Sequence, residues 1–165
     1  MNKIWTVAAV VSATLLVGCA TRVPAPKWSG VSDATEAEYV PYRVKGTATL
    51  SGQAFAVQQG GGTVKAAGRK VTLDPATTSG TNWWYQAGKT YRFRHALPPS
   101  DAFKEVRRTV VADADGRFTF TDLPAGSYYV GTDVTWTVPY HGIQGGVVTT
   151  KVEIADGENK SVIVQ

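Results

Sequence analysis

The sequence predicts an all-β domain, and three observations carry that expectation. Glycine is plentiful, with 17 in 165 residues, and aromatic residues make up 10%. Long helix-forming stretches are absent. Several segments alternate apolar and polar residues with the period of two that gives a strand one buried face, and turn residues separate them. That profile suits a domain of many short strands and many turns. A chain of this length buries roughly two-thirds of the surface its unfolded form exposes, so a hydrophobic core suffices. Cys19 is the single cysteine, so no internal disulfide is available.

The chain opens with Lys3 and an apolar stretch from Ile4 to Val17, interrupted by Thr6, Ser12 and Thr14. A charged start, a short apolar core and a small residue at Gly18 make residues 1–18 a secretory signal peptide. The stretch is too short to span a bilayer, which takes roughly 20 residues. Residues 19–43 then read as a tether, carrying Pro24, Pro26 and Pro41 and no sustained apolar period. The alternative is that Trp28, Tyr39 and Tyr42 pack onto the domain and order the tether's second half. The folded domain is expected over 44–165.

Within it, Val44–Phe55 places small or apolar residues at even positions and predicts a first strand. Gln59 to Gly62 is a flexible turn. A second strand over Ala67–Pro75 points Val71 and Leu73 inward, and Pro75 stops it. Residues 76–106 are less regular. Thr77 to Asn82 has loop chemistry and is followed by Trp83, Trp84 and Tyr85. A short strand is expected at Thr90–His95, then one helical turn from Pro98 through Lys104 with Ser100 as N-cap. Strands follow at Arg108–Ala112 and Arg117–Thr121, joined by a tight turn in which Gly116 supplies a positive φ. A corner at Leu123–Gly126 leads into a strand over Ser127–Val130. The last two strands are Val147–Ile154 and Lys160–Val164. In the first of these Val148, Val152 and Ile154 share a face.

Two resemblances add to this. Leu16-Val17-Gly18-Cys19 resembles the lipobox of bacterial lipoproteins, which implies cleavage before Cys19 and lipidation of that residue. The lipid would be the link to a membrane. Ala20, rather than aspartate, follows the cysteine, and by that resemblance the outer membrane is favoured for a Gram-negative envelope. The run from Asp113 through Gly116, Phe118, Phe120, Leu123, Pro124 and Gly126 to Tyr128 resembles the signature of carboxypeptidase-regulatory-like domains. Gly46–Phe55 and Ala67–Pro75 are similar to a lipoprotein subset of that family. The resemblance implies a prealbumin-like (transthyretin-like) Greek-key β-sandwich of about seven strands, usually non-catalytic. It constrains function poorly.

Candidate chemistry is sparse. The two histidines, His95 and His141, stand in no zinc-binding spacing, so no metal or cofactor is expected. No Gly-x-Ser-x-Gly elbow occurs, and lipidation would consume the thiol. The transthyretin-like fold also hosts a purine-catabolic hydrolase that ends in Tyr-Arg-Gly-Ser; this chain ends Val-Ile-Val-Gln. Asp113-Ala-Asp115-Gly116 invites calcium but lacks the later oxygen ligands, and a hairpin turn explains it. Trp83-Trp84-Tyr85 is the best candidate contact surface: rings exposed there would stack on sugar or meet a protein. The alternative is that they cap the open edge of the sandwich. A basic cluster lies nearby, comprising Lys89, Arg92, Arg94, Lys104, Arg107 and Arg108 against Asp101 and Glu105, and would meet anionic envelope polymers.

Loss of Lys3 with the signal leaves sixteen basic against thirteen acidic residues. That balance is too modest to argue for nucleic acid. The expectation is therefore a lipid-anchored, non-catalytic envelope module with a binding or structural role, partnered by an envelope protein or glycan. The runner-up is a carbohydrate- or peptidoglycan-binding module using the tryptophans, and an envelope hydrolase is third.

Overall fold

The computed structural model describes residues 36–89 and 99–165. Among these residues eight strands form two sheets packed face to face, which is the expected sandwich. In the first sheet β1 (Ala48–Val57) is central. It pairs in parallel with β8 (Asn159–Val164) on one side. On the other it pairs antiparallel with β5 (Arg117–Leu123) and, further along, with the three-residue β2 (Thr63–Lys65). The second sheet runs β4-β3-β6-β7, all antiparallel, through β4 (Arg108–Val111), β3 (Lys70–Pro75), β6 (Gly126–Val138) and β7 (Gly142–Ile154). Chain neighbours β2 and β3, β4 and β5, and β5 and β6 lie in opposite sheets, the interleaving of a Greek key.

Period-two alternation fills the space between the sheets. Ala48, Leu50 and Ala54 of β1 meet Phe118, Phe120 and Leu123 of β5 and Val71 and Leu73 of β3. Tyr128, Val130 and Val134 of β6 and Val148, Val152 and Ile154 of β7 complete the core. Gly52 interrupts the apolar face of β1 because a β-carbon there would come 2.6 Å from the Phe118 ring. Gly116 adopts the expected positive φ, +74°. It also packs tightly, since a β-carbon would stand 2.5 Å from the Ala54 carbonyl oxygen.

Three parts of the sequence-based expectation change. The strand at Ser127–Val130 continues to Val138, and β7 starts at Gly142, so a long hairpin occupies residues left unassigned. The segment Thr77–Asn82 is not loop: α2 (Thr78–Trp83) forms there, capped by Thr77 Oγ1, which accepts from the Gly80 N–H, and continues as a wide turn through Gly88. The domain also begins before Val44. A short helix α1 (Glu36–Tyr39) and a tight turn at Val40–Tyr42 dock onto the sandwich. Tyr39 is buried against Phe103, and Tyr42 donates from its hydroxyl to the Ser127 carbonyl. Tyr39 and Tyr42 therefore pack onto the domain, as in the alternative, and residues from Glu36 onward belong with it. Helix α3 (Asp101–Val106) forms where expected, with Ser100 Oγ accepting from the Phe103 N–H at 3.3 Å. The strand expected at Thr90–His95 lies outside the described residues.

Helices α1, α2 and α3 make a third layer. They cover the outer face of the β3-β6-β7 sheet through a second cluster of Tyr39, Trp83, Trp84, Ala87, Phe103, Val106 and Tyr129. Its contact to the sheet is a stacked pair, Trp84 on Tyr129, with ring centres 5.2 Å apart. Gly131 lies two residues along β6, and a β-carbon there would strike the Trp84 indole at 2.8 Å. The missing side chain lets the ring lie against the strand.

Burial pushes the phenols of Tyr39, Tyr42 and Tyr128 above their ordinary value. The Tyr39 hydroxyl sits beside Thr77 without a well-formed hydrogen bond, and that of Tyr128 donates to the Pro124 carbonyl at 2.7 Å. Unfolded tyrosines ionise near about pH 10 while the folded ones keep their protons. A folded-state pKa raised in this way leaves stability intact below about pH 10 and removes it as pH rises further. Urea midpoints measured from neutral pH upward should hold level and then fall steeply, and the fall should shrink in Tyr42→Phe.

Candidate functional site

The structure places the predicted site residues in very different surroundings. Trp83 and Trp84 are 1% and 2% exposed, so neither is an exposed ring of a contact surface. They sit at the end of a helix, where neighbouring residues diverge by about 100° around the axis. Trp83 turns to Phe103 at 5.0 Å, and Trp84 turns to Tyr129. Neither ring caps the sandwich edge; both fill the outer layer. Tyr85 alone of the three is exposed, and Lys89 lies over its ring at 4.7 Å.

The described members of the basic cluster are engaged within the domain. Arg107 holds the fully buried Asp74 through two hydrogen bonds, Nε to Oδ1 and Nη2 to Oδ2. Its guanidinium also lies 5.1 Å from the Trp83 ring centre and 5.0 Å from that of Phe103. The expectation that Arg107 greets a partner is corrected: it neutralises a buried carboxylate. Lys104 pairs with Asp101 at 2.8 Å. Arg108 donates to the Thr121 carbonyl and lines a recess of about 300 Å³ with Tyr42, Arg43, Glu105 and Val106. There Arg43 and Glu105 offset each other at 2.9 Å. Arg92 and Arg94 lie outside the described residues. Asp113 Oδ1 accepts from the N–H groups of Asp115 and Arg117, which builds the turn. Lys65 and Arg117 beside Asp115 hold its carboxyl below the usual carboxylate range.

A site that sequence reasoning missed lies where the β6–β7 hairpin extends beyond the core. Inward-facing positions on β6 run Val130, Thr132 and Val134, all buried, and then Trp136 and Val138, both half-buried. Trp136 is registered opposite Gln144, and Val138 opposite Gly142. Directly opposed residues of an antiparallel pair share a face, so the indole and the carboxamide stand side by side. Gly142 and Gly146, two residues either way from Gln144, add no side chain to that face. Gly145 has φ +89°, and a β-carbon there would come 2.6 Å from the indole. Glycine at 145 lets the Trp136 ring settle against the backbone of β7.

The opposite wall comes from the loop after β1. Its backbone closes on itself, with the Gln58 N–H donating to the Gly62 carbonyl and the Gly61 N–H to that of Gln58. The result is a cleft of about 420 Å³ lined by Gln58, Gln59, Trp136, Val138, His141 and Gln144. Gln144 Nε2 donates to the His141 carbonyl at 3.0 Å, which fixes its amide plane. Beside the cleft, Tyr140 is fully exposed and carries φ +64°, a conformation that bulky residues rarely adopt. Strained backbone of this kind gathers at ligand-holding sites. The sequence held a signal, since Val134, Trp136 and Val138 continue the period of two, but the glycines at 142, 145 and 146 masked the returning strand.

The architecture is that of a β-sandwich with a three-carboxamide, one-indole cleft at one end. A solved structure shares the fold. It is a Pseudomonas aeruginosa protein provisionally named a carbohydrate binding protein, similar at a TM-score of 0.70 and 26% identity, over 81% of this chain and 98% of that one. No protein-family model and no curated protein sequence matches the chain.

Proposed function

We propose that this chain is a carbohydrate-binding module of the bacterial cell envelope, held on a membrane by a lipid on Cys19, with the outer membrane favoured. The observation that carries the binding role is the Trp136 cleft. A flat indole offers an apolar face to a pyranose ring, and carboxamides both donate to and accept from sugar hydroxyls. Pockets of this kind combine an apolar floor with a few polar groups that fix orientation. The solved neighbour, provisionally named for carbohydrate binding, supports the same ligand class. The cleft favours binding over turnover, because carboxamides move no protons and His141 is the one titratable side chain among those lining it. The lipid anchor rests on the Leu16–Cys19 motif.

The test is retention of the full-length protein on immobilised polysaccharides, beside Trp136→Ala. Loss of the indole should weaken binding by about tenfold or more, which is about 1.4 kcal/mol, without changing the thermal midpoint by more than a few degrees. Equal retention of wild type and variant would remove Trp136 from the site. For the anchor, the N-terminal peptide of protein extracted from membranes should carry acyl mass on Cys19, and Cys19→Ser should abolish it.

A further inference from the structure

We infer that the Trp136 cleft takes an uncharged sugar unit and discriminates against acidic polysaccharides. This rests on the carbohydrate-binding reading above and adds the class of glycan. None of the six side chains lining the cleft is a carboxylate, an ammonium or a guanidinium. The nearby cations are engaged elsewhere. Lys65, on the strand that follows the Gln58–Gly62 loop, bonds Asp115 at 2.7 Å. Arg69 bonds Thr135 Oγ1 at 3.1 Å, and Thr135 alternates to the opposite face of β6 from Trp136.

The chemistry follows from that lining. The carboxamides of Gln58, Gln59 and Gln144 pair with neutral donors and acceptors: adjacent hydroxyls, or the acetamido group of an N-acetylated sugar. A carboxylate or phosphate brought against Trp136 would surrender hydration and gain amide dipoles and the His141 imidazole, with no lysine or arginine lining the cleft to pair with it. Acidic polymers recognised by proteins normally meet arginine or lysine at the point of contact. Arg107 and Lys104, by contrast, serve ion pairs within the domain.

The experiment is titration of the full-length protein, in a detergent without a sugar headgroup, with four probes. Two are neutral, chitohexaose and cellohexaose; two are acidic, a hyaluronan hexasaccharide and oligogalacturonate. At least one neutral probe should bind at least about tenfold more tightly than either acidic one. Its affinity should change by less than about twofold between about 0.05 and about 0.5 M salt, since no charge pair is screened. Trp136→Ala and the exposed Gln144→Ala should each abolish or sharply weaken it, while Tyr85→Ala leaves it unchanged. Gln144→Ala guards against misfolding of the tryptophan variant. Preference for an acidic probe, lost with salt, would overturn the inference and leave the carbohydrate reading standing. Neutral binding indifferent to both cleft substitutions would overturn it as well. Binding of no probe, nor of any immobilised polysaccharide, would overturn the carbohydrate reading and the inference together.

Discussion

Arg107→Ala should destabilise the domain by about 3–5 kcal/mol, the effect expected when one partner of a buried ion pair is removed. Asp74 is fully buried on β3, and Arg107, at the end of α3, is the guanidinium that meets it with two hydrogen bonds. Without Arg107 the carboxylate would stay in the interior and lose both of these charged hydrogen bonds. The guanidinium also lies over Trp83 and Phe103, so its loss opens the outer layer as well. Arg107→Lys should recover only part of the stability, because a single ammonium cannot reproduce the fork. The double variant Asp74→Asn with Arg107→Met should lie well above the sum of the two singles, since it removes both charges. Urea unfolding of the four proteins gives the coupling directly, and additive losses would show that the pair does not act as a unit. A binding defect in an Arg107 variant would therefore report unfolding before it reported a lost contact.

Trp84→Ala should cost about as much, about 3–5 kcal/mol, the range for truncating a large buried aromatic. The indole is sandwiched between the α2 turn and Tyr129 of β6, and the backbone on both sides is shaped to it. Gly131 beneath and Gly88 beside it leave the space a β-carbon would fill. Tyr85→Ala, one residue on, should stay within about 0.5 kcal/mol of wild type, as exposed positions generally do. Thermal unfolding of the pair separates a packing role from a surface role: similar small shifts in both would contradict the burial of Trp84.

The contrast between these neighbours shows what the sequence could convey. The sandwich was legible wherever a strand had one wet face. Phe118 and Phe120, or Val148, Val152 and Ile154, announce their direction by spacing alone, and the structure buries each of them. Ser100 was legible as a cap because the chemistry is local. The outer layer was not legible. Two adjacent tryptophans cannot enter a core from one strand, but at the end of a helix they diverge and both find cover. That cover depends on Phe103, Tyr129 and Tyr39, which are remote in sequence. The cleft was hidden for a related reason. Trp136 and Gln144 become neighbours only through the register of a hairpin whose second strand begins with glycines. Local propensity argued against a strand there, and pairing with β6 overrode it.

The docked segment before β1 has a mechanical consequence. On the Cys19 anchor proposed above, the leash between membrane and domain can be no longer than residues 20–35, against 20–43 if the domain began at Val44. Sixteen residues reach at most about 55 Å when fully drawn out, against about 80 Å for the longer span. Any pull on that leash arrives at Glu36, which holds Arg43 at 2.9 Å, and Arg43 holds Glu105 of α3 in turn. Behind them Glu38 accepts from the Ser79 N–H at the start of α2, and Tyr39 is buried against Phe103. Load is thus taken by the helical layer before it reaches any strand. Under tension this short strap would peel away first and lengthen the leash, sparing the sandwich and the cleft at its end.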